Sequence, residues 1–325
     1  MEKINKVYRQ LNMNPDPSIF EKSLCSYAVS STAAALDIPW EEAVRALYSQ
    51  AHDLCLMPQN RKCINGMMSS LGFYQQPGIY RYYYPVSQLC ADFPEKYGED
   101  AVAVVLGDNE NVCAHAFAIK PGEDGRFYAY YPMKGTELLD LERHASCIWV
   151  RWPDGQDHSP KKRRSGGRKA GPKPEYEPTK DNEHFHYVNR NPANNNEGDC
   201  VVRGVASALD ISWHEALDEL VRAADYKYPV VNQNMVYTKL LEDKGYFCMH
   251  PVRKGGIRAW ELCEQMDELC SHGERAFVDF RKAHAAAIVP VYEGDGYRYK
   301  VEDTWDSSDN LISEVWIGRP PYDEY

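Results

Sequence analysis

The sequence has no Cys-x-x-Cys pair, no close Cys/His spacing of the kind that holds zinc, and no run of about 18 apolar residues. The first two absences argue against a zinc site, and the third against a membrane-spanning helix. Lys3, Lys6 and Arg9 lie near the start, but no apolar run of leader length follows them. A cytoplasmic protein with no membrane partner is therefore expected, and its ten cysteines should be mostly reduced. Positive charge is also in short supply. Lys and Arg number 37 against 48 Asp and Glu, and the net charge of −11 would repel a polyanion over most of the surface. A whole-protein role in coating nucleic acid is excluded, and any basic contact must be local.

What is present is written twice. Ala35-Leu36-Asp37-Ile38-Pro39-Trp40-Glu41-Glu42-Ala43 matches Ala208-Leu209-Asp210-Ile211-Ser212-Trp213-His214-Glu215-Ala216 at an offset of 173 (208 − 35). The same offset pairs Leu71-Gly72-Phe73-Tyr74 with Lys244-Gly245-Tyr246-Phe247, and Leu89-Cys90 with Leu262-Cys263. Further on, Ala114-His115-Ala116-Phe117-Ala118-Ile119 matches Ala283-His284-Ala285-Ala286-Ala287-Ile288, and Cys147-Ile148-Trp149-Val150 matches Glu314-Val315-Trp316-Ile317. Ordered blocks at a nearly fixed period are the mark of an internal repeat. A chain of 325 residues with 43% hydrophobic content can bury two cores, so the sequence predicts domains over 1–155 and 184–325. Between them, 156–183 is rich in Pro, Gly, Lys and Arg, with Lys161-Lys162-Arg163-Arg164 and almost nothing apolar. Such a stretch cannot offset its ordering entropy by burial and reads as a flexible basic linker, with a contact to an anionic partner as the other use of its charge.

Within the second repeat, the turn-forming stretch Asn191-Pro192-Ala193-Asn194-Asn195-Asn196-Glu197-Gly198-Asp199 leads into Cys200-Val201-Val202-Arg203-Gly204. Asp199 is placed to cap a helix that starts at Cys200. A second helix follows Ser212, with Trp213, Ala216, Leu217, Leu220, Val221 and Ala224 on one face. After Tyr246 the pattern changes to short apolar runs over 276–280, 284–292, 297–304 and 312–317, two of them joined by Glu293-Gly294-Asp295-Gly296 as in a hairpin. Helices followed by an antiparallel sheet predict an α+β domain.

A cysteine at a helix start meets unpaired backbone N–H groups and the positive end of the macrodipole, which favours thiolate over thiol. His284 stands among small alanines on a predicted strand, and Asp303 ends the next one, where its carboxylate could accept the Nδ1 proton and fix the imidazole tautomer. Cysteine, histidine and carboxylate thus form one ordered set.

Helix-start Cys, strand His, then Asn or Asp on the following strand is the order of the papain-like cysteine peptidase superfamily. Gly198-Asp199-Cys200-Val201-Val202-Arg203 and Asp303-Thr304-Trp305-Asp306-Ser307 resemble its small bacterial and phage-encoded members. The resemblance implies two papain-like domains, with Cys200 as nucleophile, His284 as general base and then acid, and Asp303 as orienting residue, Asp306 being its rival. It also implies an amide side chain about six residues before the nucleophile to bind the oxyanion, the position of Asn194; Asn195 and Asn196 could serve as well, and the commoner family residue, Gln, is absent. No cofactor or metal is implied.

The offset places Tyr27 where Cys200 belongs and Cys25 where Gly198 belongs. A tyrosine, with its pKa near 10, cannot replace the thiolate, and Tyr130-Tyr131-Pro132-Met133-Lys134 has no acid to match Asp303. The first repeat is thus expected to be an inactive copy of a cysteine hydrolase that acts on a protein or peptide through a thioester. Acyl transfer to an amine would use the same residues. A non-catalytic adaptor or inhibitor built on two degenerate copies, and metal-assisted chemistry on Cys200, His284 and Asp303, are the other classes that these residues allow.

Overall fold

The computed structural model describes residues 8–10, 24–76, 84–109, 112–132, 144–158, 179–195, 198–227, 230–249, 256–271, 273–281 and 284–320. The architecture is mixed α+β, with eight helices and two largely antiparallel sheets among these residues. The chain divides into two compact units: Met1–Asp53 with Pro58–Lys169 and Tyr226–Val230, and Leu54–Met57 with Ala170–Asp225 and Val231–Tyr325. Two short segments therefore depart from the division that the sequence predicts. Trp40 Nε1 donates to the Tyr226 carbonyl at 2.9 Å, and the Cys55 carbonyl accepts from Asn191 Nδ2 at 2.9 Å and Asn195 Nδ2 at 3.1 Å. The basic cluster Lys161 to Arg164 lies outside the described residues.

The first unit contains β1 (Tyr8–Gln10), α1 (Leu24–Leu36), α2 (Trp40–Leu54), α3 (Arg61–Ser70), β2 (Tyr74–Gln75), β3 (Tyr84–Pro85), α4 (Val86–Tyr97), β4 (Val102–Asn109), β5 (Val112–Pro121), β6 (Phe127–Tyr131) and β7 (His144–Arg151). Its sheet runs β1-β6-β5-β4-β7-β2, with β3 also paired to β7, and only the β1–β6 pair is parallel. The second unit contains β8 (Phe185–Tyr187), α5 (Cys200–Leu209), α6 (Trp213–Ala224), α7 (Asn234–Asp243), β9 (Phe247–Met249), α8 (Ala259–Leu269), β10 (Arg275–Phe280), β11 (His284–Tyr292), β12 (Tyr297–Asp303) and β13 (Ile312–Gly318). Its sheet runs β8-β12-β11-β10-β13-β9, and again only the first pair is parallel. Strand for strand, the two sheets have the same order apart from β3.

Helix α5 forms the centre of the second unit because Val201 to Leu209 are all buried. Gly204 lets it lie close on the sheet: a Cβ there would stand 3.0 Å from the Phe277 ring and 3.2 Å from the Ala286 carbonyl oxygen. The helix stops at Asp210 in the left-handed region, and α6 begins with a capping box in which Ser212 Oγ accepts from the Glu215 N–H and the Glu215 carboxylate accepts from the Ser212 N–H. The predicted order of helices first and sheet afterwards needs two corrections. Strand β8 precedes α5 and pairs with β12, and α8 intervenes between β9 and β10. Ala259, Leu262, Cys263 and Met266 of α8 recur at helical spacing and join one core with Val278, Ile288 and Val301.

Candidate active site

Three elements of the second unit end at one place. Cys200 is the first residue of α5, His284 the first of β11 and Asp303 the last of β12. The hairpin register fixes the last two: Ala287 pairs with Glu302, which leaves Asp303 and His284 beyond the last β11–β12 rung, where they pair instead with Tyr187 of β8 and Phe280 of β10. There the His284 Nε2 meets Asp303 Oδ2 at 2.6 Å. The tautomer expected from sequence is thereby corrected, since Asp303 meets Nε2 and not Nδ1. Cys200 is the second side-chain hydrogen-bond partner of the same imidazole.

The electrostatics follow from this contact. Burial disfavours the Cys200 thiolate, but the hydrogen bond and charge of His284, the Ala285 backbone N–H and the charge of Arg203 outweigh it, so the thiol is held below its ordinary value. Burial also disfavours the His284 imidazolium, yet hydrogen bonds to Asp303 and Cys200 and their charges push its pKa up to about 9. Each group thus favours the charged form of the other, a thiolate beside an imidazolium. The Asp303 side chain is only 3% exposed and is held from three sides: Ser307 Oγ donates to Oδ2 at 2.8 Å, the Thr304 N–H to Oδ1 at 2.7 Å, and His284 completes the set. Phe280 stacks on the imidazole with ring centres 5.6 Å apart and planes 9° from parallel, and the half-exposed Trp305 ring lies 5.0 Å away.

Asp199 does not cap α5 with its side chain, contrary to the expectation. Its Oδ2 accepts from Asn191 Nδ2 at 2.7 Å and Trp213 Nε1 at 3.0 Å, while Oδ1 forms an ion pair with Arg203 Nε at 3.1 Å. The carboxylate thus makes no capping bond to the first N–H groups of the helix. Arg203 in turn donates to Thr304 Oγ1 at 2.5 Å, so one buried guanidinium joins the residue before Cys200 to the residue after Asp303. Nothing in the sequence singles out Arg203 as the tie between these chain segments, although its place one turn after Asp199 suits a helical i,i+4 pair.

The remaining candidates separate clearly. Asp306 accepts from Asn182 Nδ2 at 2.7 Å and Ser308 Oγ at 2.6 Å, and takes no part in the imidazole contact. Asn194 is exposed on a turn with φ of 54°, and no described contact joins its side chain to Cys200 or His284. Asn195 is engaged by the Cys55 carbonyl, and Asn196 lies outside the described residues. Among the described residues no group of three or more Cys, His, Asp or Glu side chains could hold a metal ion, and no helix is long and apolar enough to cross a membrane.

In the first unit the strand register assigns the matching positions. Ala118 pairs with Tyr130 as Ala287 pairs with Glu302, so Tyr131 takes the place of Asp303. Tyr27, at the place of Cys200, is 1% exposed and stacks on Tyr131 with ring centres 6.1 Å apart. Cys25 is also buried at 1% exposure. No protein-family model matches the chain, and no curated protein or solved structure matches it either.

Proposed function

We propose that the protein is a cysteine hydrolase of papain-like type that cleaves a peptide or isopeptide bond, with its active site in the second unit and a non-catalytic first unit. The observation that carries this reading is the Cys200–His284–Asp303 contact, in which a thiolate is favoured by the imidazolium that Asp303 holds. Cys200 Sγ attacks the substrate carbonyl, and the negative charge on the carbonyl oxygen is met by backbone N–H groups at the start of α5, which the Asp199 side chain leaves uncapped. As the tetrahedral intermediate collapses, the C–N bond breaks and the His284 imidazolium gives its proton to the departing amine. The acyl group is then a thioester on Cys200. His284, now neutral, takes a proton from water, the hydroxide attacks the thioester, and the thiolate leaves as the imidazolium re-forms. Asp303 stays ionised throughout and keeps the ring in place.

The first unit supports no such chemistry, since two stacked tyrosines occupy the nucleophile and carboxylate positions. The test is labelling of the intact chain with a thiol-directed electrophile, followed by mass-spectrometric identification of the modified peptide. One hyper-reactive cysteine at position 200 is expected. Uniform slow labelling of all accessible cysteines would instead assign the chain to the non-catalytic adaptor or inhibitor class.

A further inference from the structure

The second unit has a cavity of about 380 Å³ that shares one side chain with the site, Phe280, which stacks on the His284 imidazole. Its walls are Arg258, Phe280, Arg281, Asp309, Asn310 and Leu311. Phe280 therefore has two roles, packing on His284 and lining this cavity.

The two arginines are anchored to the sheet frame at one residue. The Arg281 N–H donates to the Leu311 carbonyl at 3.2 Å, and Arg258 forms a β-bridge with Leu311. Arg258 spends part of its guanidinium on Asp309, donating to its carbonyl at 2.5 Å and standing 3.6 Å from its carboxylate. The guanidinium of Arg281 has no ion pair among the described residues. It lies over Gly256, where a Cβ would come within 2.8 Å of its Nη2, and a φ of 86° further favours glycine at that position. Two cations against one rim carboxylate give the cavity a net positive charge, while Phe280 and Leu311 supply an apolar floor. A planar guanidinium pairs with a carboxylate through two parallel hydrogen bonds, which makes it the natural reader of that group.

We infer that this cavity is a substrate subsite that accepts a carboxylate-bearing side chain, a glutamate above all, whose methylenes lie on Phe280 and Leu311 and whose carboxylate meets Arg281 and Arg258. The inference rests on the cysteine-hydrolase reading and supplies its substrate class: acidic peptides or acidic segments of proteins. It also fits a peptide whose acidic residue lies near the scissile bond, since Phe280 both lines the cavity and stacks on His284.

Two measurements on the full chain test it. The first is ligand-detected NMR binding of N-acetyl-glutamic acid amide, with N-acetyl-glutamine amide as the neutral control; this needs no reactive thiol. The acid should bind at least fivefold more tightly, with the preference lost in Arg281→Gln. The second is the rate at which Cys200 is alkylated by peptidyl vinyl sulfones that differ only by Glu or Gln at one of the two residues before the warhead. The Glu/Gln rate ratio, which cancels any change in thiol reactivity, should be about tenfold in the parent and near one in Arg281→Gln, and Arg281→Glu should prefer a Lys probe. Equal binding of acid and amide, or a preference that survives Arg281→Gln, overturns the subsite even where Cys200 is labelled. Charge-selective binding with no labelling of Cys200 by any probe overturns the hydrolase reading, and the substrate role with it.

Discussion

The two units present the same sheet order with opposite chemistry at one end. In the second, charged groups are stacked along the start of α5: Asp199, Arg203 and, across from them, Asp303 and His284. At an offset of 173 the first unit has Ser26, Tyr27, Ser30 and Ser31 where the second has Asp199, Cys200, Arg203 and Gly204. Every charge in that stretch of helix is replaced by an uncharged side chain, and all four are buried. The indole that donates to Asp199 in the second unit, Trp213, has its counterpart in Trp40, which donates to a backbone carbonyl. The frame therefore does not require the charge network for folding. It is a local addition at the end of the sheet, consistent with the proposed reaction and with a non-catalytic role for the first unit under that proposal.

That comparison can be broken most directly at Cys200, the proposed nucleophile. Cys200→Ala should abolish electrophile labelling and lower turnover by about 10⁴-fold or more, whereas Cys25→Ala should leave both in place because its thiol is buried in the copy without an acid. Rapid labelling of Cys25 would reverse the assignment of the two units. Asp303→Asn should cost less, about 10- to 100-fold, since an amide still holds the ring through Ser307 and the local backbone while the imidazolium loses its counter-charge.

The pH dependence sharpens the contrast further. His284, raised from 6.5 to about 9, contributes stability that is complete below about pH 6.5 and is lost as the pH rises through about 9. Cys200, held below 9.0, contributes stability present above that value and lost as the pH falls through its lowered pKa. The reactive ion pair occupies the window between them. Turnover should therefore follow a bell with an alkaline limb near pH 9, and Asp303→Asn should draw that limb down toward 6.5. A limb unmoved by Asp303→Asn would detach the carboxylate from the imidazole. The smallest effect concerns packing. Gly204→Ala should destabilise by about 1–3 kcal/mol because its Cβ meets Phe277 and the Ala286 carbonyl, while Ser31→Ala should stay within about 1 kcal/mol, since the buried Ser31 hydroxyl has no hydrogen-bond partner among the described residues. Chemical denaturation of the two variants measures both.

Legibility in the sequence varied with the range of the interaction. The matching blocks lie on corresponding elements, α1 into α2 and α5 into α6, because apolar spacing and, for α6, the Ser212–Glu215 capping box are local signals. Strands β10 to β13 were readable for the same reason, as apolar runs between turn residues. Helix α8 was legible in principle from Ala259, Leu262, Cys263 and Met266, but its charged and polar residues between them obscured the spacing within a region otherwise of strands. Strand β8, three residues long and parallel to a partner more than 110 positions later, carries no local signal. At the site, Cys200, His284 and Asp303 could be picked out by type and order. The choice of Nε2 over Nδ1, the release of Asp199 from capping, and the Arg203 tie all depend on which groups meet across the fold, and sequence spacing does not contain that information.

The Trp305 ring at the edge of the imidazole has a practical consequence. A protonated imidazole at contact distance quenches an excited indole by accepting an electron from it, so the emission of this half-exposed ring should report the charge of His284 without any substrate. Subtracting the Trp305→Phe spectrum from the parent isolates its signal from the other six tryptophans. The difference should brighten as the pH passes about 9, and it turns the histidine's proton into an optical quantity that can be followed in stopped flow while the proposed acyl-enzyme forms and decays.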